Sequence, residues 1–110
     1  MKILFYKDIP RPEILSHLYF SNYLGFSRLK AYVKERSPQH EFAVEFLPEK
    51  ALLHKPDIIG ISSVSEYWNR TVAFIKLLRQ RGFAGPIIIG GPHITALPDC
   101  LPPEASCGVL

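Results

Sequence analysis

The chain is predicted to be an α/β protein: a three-layer sandwich built on a mostly parallel, five-stranded sheet. Three observations point there. Short runs rich in β-branched and aromatic residues alternate with helical patterns along the whole chain. The third and fourth of these runs are nearly continuous in Ile, as strands covered on both faces must be. The intervening segments are long enough for right-handed crossovers, which place helices on both sides of a parallel sheet.

Taken in order, the first strand is "KILFY", residues 2 to 6. The next segment, "IPRPEILSHLYFSNYLG", holds two prolines and an apolar patch, and is compatible with a long loop or a short helix. A helix follows from about Asn22 to Arg36, with Leu29 and Val33 inward and "KER" as its cationic end. In the second strand, "EFAVEFL" at 41 to 47, Phe42, Val44 and Phe46 alternate onto one face, as in an edge or half-covered strand. "PEKALLHK" leaves room for two helical turns before the third strand, "DIIGISS" at 57 to 63. The strongest helix is 66 to 81: Val72, Phe74, Ile75, Leu77 and Leu78 form a broad stripe, Ser65 can cap its start and Gly82 follows its end. "PIIIG" at 86 to 90 is the fourth strand, "ALPDCLPPEA" a short turn or helix, and "CGVL" the start of a fifth strand. This order describes a doubly wound sheet of the Rossmann-like or flavodoxin-like kind, as one domain over residues 1–110.

The composition narrows the function. A 47% apolar and 12% aromatic chain is not disordered, and its apolar runs are too short to span a membrane. The net charge of +3 comes from Lys and Arg spread among Glu residues, so the patch expected of a nucleic-acid binder is missing. "MKILFYKD" is too short for the apolar core of a signal peptide, which makes the cytoplasm the expected location. Cys100 and Cys107 have no metal-ligand spacing and read as free, mostly buried thiols.

In an open α/β sheet, ligands bind beyond the carboxyl ends of the strands. Three loops reach that edge: "KDIPRPE", which contains Asp8 and Ile9; "SSVSEY", with Ser62, Ser63, Val64 and Ser65; and "GGPHIT", with Gly90, Gly91, Pro92 and His93. Gly90 and Gly91 remove two Cβ atoms where the backbone leaves the sheet, which serves either a tight turn or the close approach of a ligand. Gly60, inside a strand, has the same two readings. The serine hydroxyls donate and accept without charge, and Ser65 is fully accounted for as a helix cap. His93 is a candidate ligand, acid-base group or donor, and Tyr67 and Trp68 are either core aromatics or a wall for a flat ligand.

Known α/β chemistries do not fit these loops. The chain has no GxxxxGK[ST] phosphate loop, no GxGxxG after the first strand and no Gly-x-Ser-x-Gly elbow. Asp8 stands without the acidic pair of a phosphoryl-receiver domain. With no catalytic set to assign, the chain reads as a binding module.

"KPDIIGISSVSEYWNRTVAFIKLLRQRGFAGPIIIGGPHITALPDCL", residues 55 to 101, resembles the cobalamin-binding domain at the N-terminus of many radical SAM enzymes. "NYLGFSRLKAYVKER", residues 22 to 36, resembles the first helix of that domain. The specific part is Pro-Asp-Ile-Ile-Gly-Ile-Ser followed, some thirty residues later, by Gly-Gly-Pro-His. The resemblance implies cobalamin as cofactor, held by Asp8, Ile9, Ser62, Ser63, Val64, Gly90, Gly91, Pro92 and His93. Ser62 and Ser63 would line the side of its nucleotide tail, Gly90 and Gly91 would let the tail pass, and His93 would sit beside the corrin edge. It also implies a partner, the radical SAM barrel of the same parent chain, which would carry S-adenosylmethionine and the [4Fe-4S] cluster. No CxxxCxxC motif occurs here, so the chain is expected to be an N-terminal fragment that is not catalytic alone. The Asp-x-His-x-x-Gly of methionine-synthase-type domains is absent too, which leaves the lower face of cobalt without that ligand.

Three functions follow as alternatives: a cobalamin domain serving methyl transfer or oxidative cyclisation, a cofactor-free docking or lid domain, and a small flavodoxin-like enzyme. The first requires an open crevice under Gly90 and Gly91. The second expects Tyr67, Trp68 or Phe26 to fill it.

Overall fold

In the computed structural model the described residues are 1–7 and 20–109, with side chains described for 1–7 and 28–109. The sheet has five parallel strands in the order β2-β1-β3-β4-β5: β1 Lys2–Lys7, β2 Glu41–Glu45, β3 Ile58–Ser62, β4 Ile87–Gly90 and β5 Cys107–Gly108. The α/β class and parallel sheet are as the sequence predicts. β1 lies inside the sheet, and the chain order reverses between β1 and β3, the switch point at which such folds open a crevice.

Helix α1 (Phe20–Arg36) joins β1 to β2. The connection to β3 is the short helix α2 (Pro48–Ala51) and a 3-10 turn (Leu52–His54), the two turns that "PEKALLHK" allows. Helix α3 (Trp68–Gln80) follows a 3-10 turn at Ser65–Tyr67, and Gly82 takes the left-handed conformation (φ +92°) just past its end. Helix α4 (Pro92–Ala96) and a 3-10 turn (Pro98–Cys100) lead to β5.

Strand alternation sorts the side chains onto two faces. Leu4, Tyr6, Ile59, Ile61, Ile87 and Ile89 point to α3, where they form the core with Phe74, Ile75 and Leu78, joined by Ala51 and Ile94. The Tyr6 and Phe74 rings stack 3.9 Å apart. Full burial of each aliphatic side chain stabilises by about 1.5–3 kcal/mol, so this face carries much of the fold. On the opposite face Phe5 stacks on Phe42 at 5.9 Å, and its ring lies 3.3 Å from where a Cβ on Gly60 would be. Gly60 therefore makes room for a neighbouring ring.

Several expectations are corrected. Leu29 is 44% exposed rather than inward. β2 ends at Glu45, because the Glu45 carboxylate accepts the N–H groups of Phe46 and Leu47 and turns the chain toward α2. Thr71 rather than Val72 is buried on α3. Cys100 and Cys107 are free, as expected, but exposed, since Cys100 ends the 3-10 turn before β5 and Cys107 opens that two-residue edge strand. No helix among the described residues is long and apolar enough to cross a membrane.

Candidate functional site

The carboxyl edge of the sheet brings most of the predicted residues together. Register places Lys7 beside Ser62 and Ser62 beside Gly90, a row across three adjacent strands. Registered neighbours in a parallel sheet project to the same side, so all three share the face opposite α3. Asp8 and Ile9, the expected contribution of the first loop, lie outside the described residues, as does the side chain of Phe26.

Lys7 is the member of this row that the sequence pattern hid. Read as the first residue of a loop, it is instead the last residue of β1 and only 5% exposed. Its signal was its spacing, since Ile3, Phe5 and Lys7 alternate onto one face. Burial strips water from its ammonium and lowers its pKa from 10.5. Among the described residues the side chains of Lys7 and Ser62 have no hydrogen-bond or ion-pair partner.

Ser63, one residue on, is fully buried and committed to the fold. Its N–H and its hydroxyl both donate to the Gly90 carbonyl, at 2.8 and 2.7 Å, and its own carbonyl accepts the His93 N–H at 3.4 Å. These bonds lash the loop after β3 to the start of α4. They also explain Gly91, whose φ is +98° and whose absent Cβ would fall 2.5 Å from the Ser63 carbonyl oxygen and 2.7 Å from its nitrogen. The space under Gly91 is filled by the Ser63 backbone, with the Ser62 hydroxyl 3.2 Å from the same position. At Gly90, among the described residues, a Cβ would meet only the Val109 carbonyl, at an ordinary 3.7 Å, so that position has room for one.

Val64 is extended (φ −130°, ψ 151°) and half-buried, carrying the chain from this junction to the 3-10 turn. Pro92 opens α4, and its fixed φ suits a first helical position. His93 is 6% exposed and lies under α3's first turn, its ring stacked on Trp68 with centroids 4.2 Å apart and planes inclined by 22°. His93 Nδ1 and Ser65 Oγ share a 2.8 Å hydrogen bond, while Nε2 is buried without a partner. Ser65 thus orients the histidine and makes no side-chain cap, which corrects its expected role. The aromatic that closes this side of the edge is Trp68.

The edge therefore has two halves. Toward α3, the Ser63, Gly91, His93, Ser65 and Trp68 cluster is packed shut. On the opposite face Lys7, Ser62 and Gly90 stand side by side in register, Lys7 and Ser62 flanking the switch point. Among the described residues no group of three or more His, Cys, Asp or Glu side chains could hold a metal ion. No protein-family model, curated protein or solved structure matches the chain.

Proposed function

We propose that the chain is a ligand-binding α/β domain whose site is the Lys7, Ser62 and Gly90 half of this edge, and that its ligand is cobalamin, held for a radical SAM barrel in the same parent protein. The observation that carries this reading is Gly90, next to Ser62 at the carboxyl edge, where among the described residues a Cβ would meet only the Val109 carbonyl, at an ordinary 3.7 Å. Bare backbone of this kind admits a bulky or flat group. The sequence likeness of residues 55 to 101 to cobalamin domains supplies the identity of the ligand. Ser62, Gly90 and Lys7 are the residues that would hold it; Ser63, Gly91 and His93 support them from the packed half. Cobalamin, when bound, supplies a cobalt centre for methyl transfer or for the electron transfer of an oxidative cyclisation. This chain's own work is to bind and orient it in the parent protein.

The test is a titration with hydroxocobalamin followed by the corrin absorption bands, on the native chain and on Gly90→Leu. Gly90 has ordinary backbone geometry and room for a Cβ, so this variant blocks the opening without straining the fold. Saturable binding that Gly90→Leu weakens at least tenfold supports the reading. No binding at about 1 mM corrin, where even a weak site fills, rejects it for this chain.

A second reading is favoured by one observation. Trp68 packed on His93 and the backbone filling the space under Gly91 are what a cofactor-free docking or lid domain would have. In that case the native chain and Gly90→Leu are equally indifferent to cobalamin, and both associate with the parent barrel.

A further inference from the structure

We infer that the exposed face of α1 over residues 28–36 is a docking surface for an anionic lipid bilayer, on which the domain rests without entering it. Arg28, Lys30, Lys34 and Arg36 stand in this segment against one carboxylate, Glu35, which leaves nine of the 13 Lys and Arg residues to balance nine of the 10 Asp and Glu residues elsewhere. The chain's whole net charge of +3 therefore sits on about two and a half turns of one helix. Among the described residues none of the four cations is held in an ion pair. The helix dipole favours Lys34 and Arg36 near the C-terminal end, but it accounts neither for Arg28 nor for the apolar groups beside it. Leu29 is 44% exposed and Tyr32 54%.

The helical turn sorts these residues around the axis. Lys30 and Val33, both half-buried, mark the side of α1 turned to the protein. Arg28, Tyr32 and Glu35 stand on the opposite, outermost side, with Leu29 and Arg36 on one flank and Lys34 on the other, all exposed. The Arg36 guanidinium lies 4.3 Å from the centre of the Tyr32 ring, which holds cation and aromatic together on that face. Cations at the summit and on both flanks, each on a flexible stem, suit a flat and laterally uniform negative surface: the stems reach headgroup phosphates while Leu29 and Tyr32 settle between the headgroups. A groove on an acidic protein would grip a narrower strip than these cations span. The contact is peripheral, because no helix among the described residues is long and apolar enough to cross a bilayer.

The experiment is co-sedimentation of the chain with vesicles of equimolar phosphatidylglycerol and phosphatidylcholine, and with vesicles of phosphatidylcholine alone, at about 0.1 M salt. The native chain is compared with Arg28→Gln/Arg36→Gln, Tyr32→Ala and Glu35→Gln. Binding to the anionic vesicles alone is expected, weakened about twentyfold in the double variant and several-fold in Tyr32→Ala, and strengthened about fivefold in Glu35→Gln. Glu35→Gln is the discriminating variant, since a helix face that is merely solvated gains nothing from it. All of these side chains are exposed, so each variant should keep the native melting temperature within a few degrees, which separates lost binding from lost folding. Equal binding to the neutral vesicles, no binding at about 5 mM lipid, or no gain in Glu35→Gln would overturn the inference. Tighter binding to polyglutamate than to the anionic vesicles would give the face to an acidic protein, and overturn it equally. Because no corrin is present, the outcome is separate from that of the cobalamin titration.

Discussion

At the scale of single residues, two adjacent glycines that look alike in sequence have different physical reasons. Gly91 is required by its own fold, because its φ of +98° and the Ser63 backbone leave no place for a Cβ. Gly91→Ala should cost about 2 kcal/mol or more in urea unfolding, whereas Gly90→Ala should change stability by no more than about 0.5 kcal/mol. Lys7 makes a second prediction. Its folded pKa lies below the unfolded 10.5, so between the two values the unfolded chain binds more protons and stability rises with pH. Melting temperature should climb as pH passes through that alkaline window, and Lys7→Met should remove its share of the climb. Glu45 behaves oppositely. Burial alone would raise its pKa, but hydrogen bonds from His54, Phe46 and Leu47, with the nearby His54 charge, bring it below 4.5. It adds stability above 4.5 that is lost as pH falls through the lower folded value, so Glu45→Gln should flatten the acid side of the same profile.

At the scale of elements, α3 is anchored at both ends by side chains, in addition to the left-handed Gly82 turn that closes its C-terminal end. At its N-terminal end Trp68 covers His93; near its C-terminal end Arg79 donates to the carbonyls of Glu104, Phe83 and Gly85, at 3.0, 2.9 and 2.7 Å. One guanidinium thus ties α3 to the approaches of both β4 and β5. Arg79→Met keeps the aliphatic stem but strands three carbonyls, and chemical denaturation should show a loss of about 2–3 kcal/mol. The alternation and the Ile runs made the strands legible, because period-two patterns and β-branched composition are local properties. Element ends were less so. β1 runs on to Lys7 because parallel pairing with Ser62 continues, and β2 stops at Glu45 because its own carboxylate captures the next two N–H groups. Both depend on partners that no local pattern contains. Leu29 was misjudged for a related reason: apolar spacing on a helix does not say whether a neighbour covers it.

At the scale of the whole molecule, the carboxyl edge was found from the sequence, but its division into a closed and an open half was not. Ser62, Ser63, Val64, Gly90, Gly91, Pro92 and His93 all gather there, as the strand order requires. Which hydroxyl is free and which is bound to Gly90, and which glycine is open, follow only from the three-dimensional crossing of two loops. The most direct measurement of the central claim is a map of amide chemical shifts on the 15N-labelled chain as hydroxocobalamin is added to about 1 mM. The account predicts saturable shifts concentrated at Lys7, Ser62 and Gly90, with Leu77 and Leu78 on α3 unmoved. Shifts centred on α3, or none at all, would contradict it.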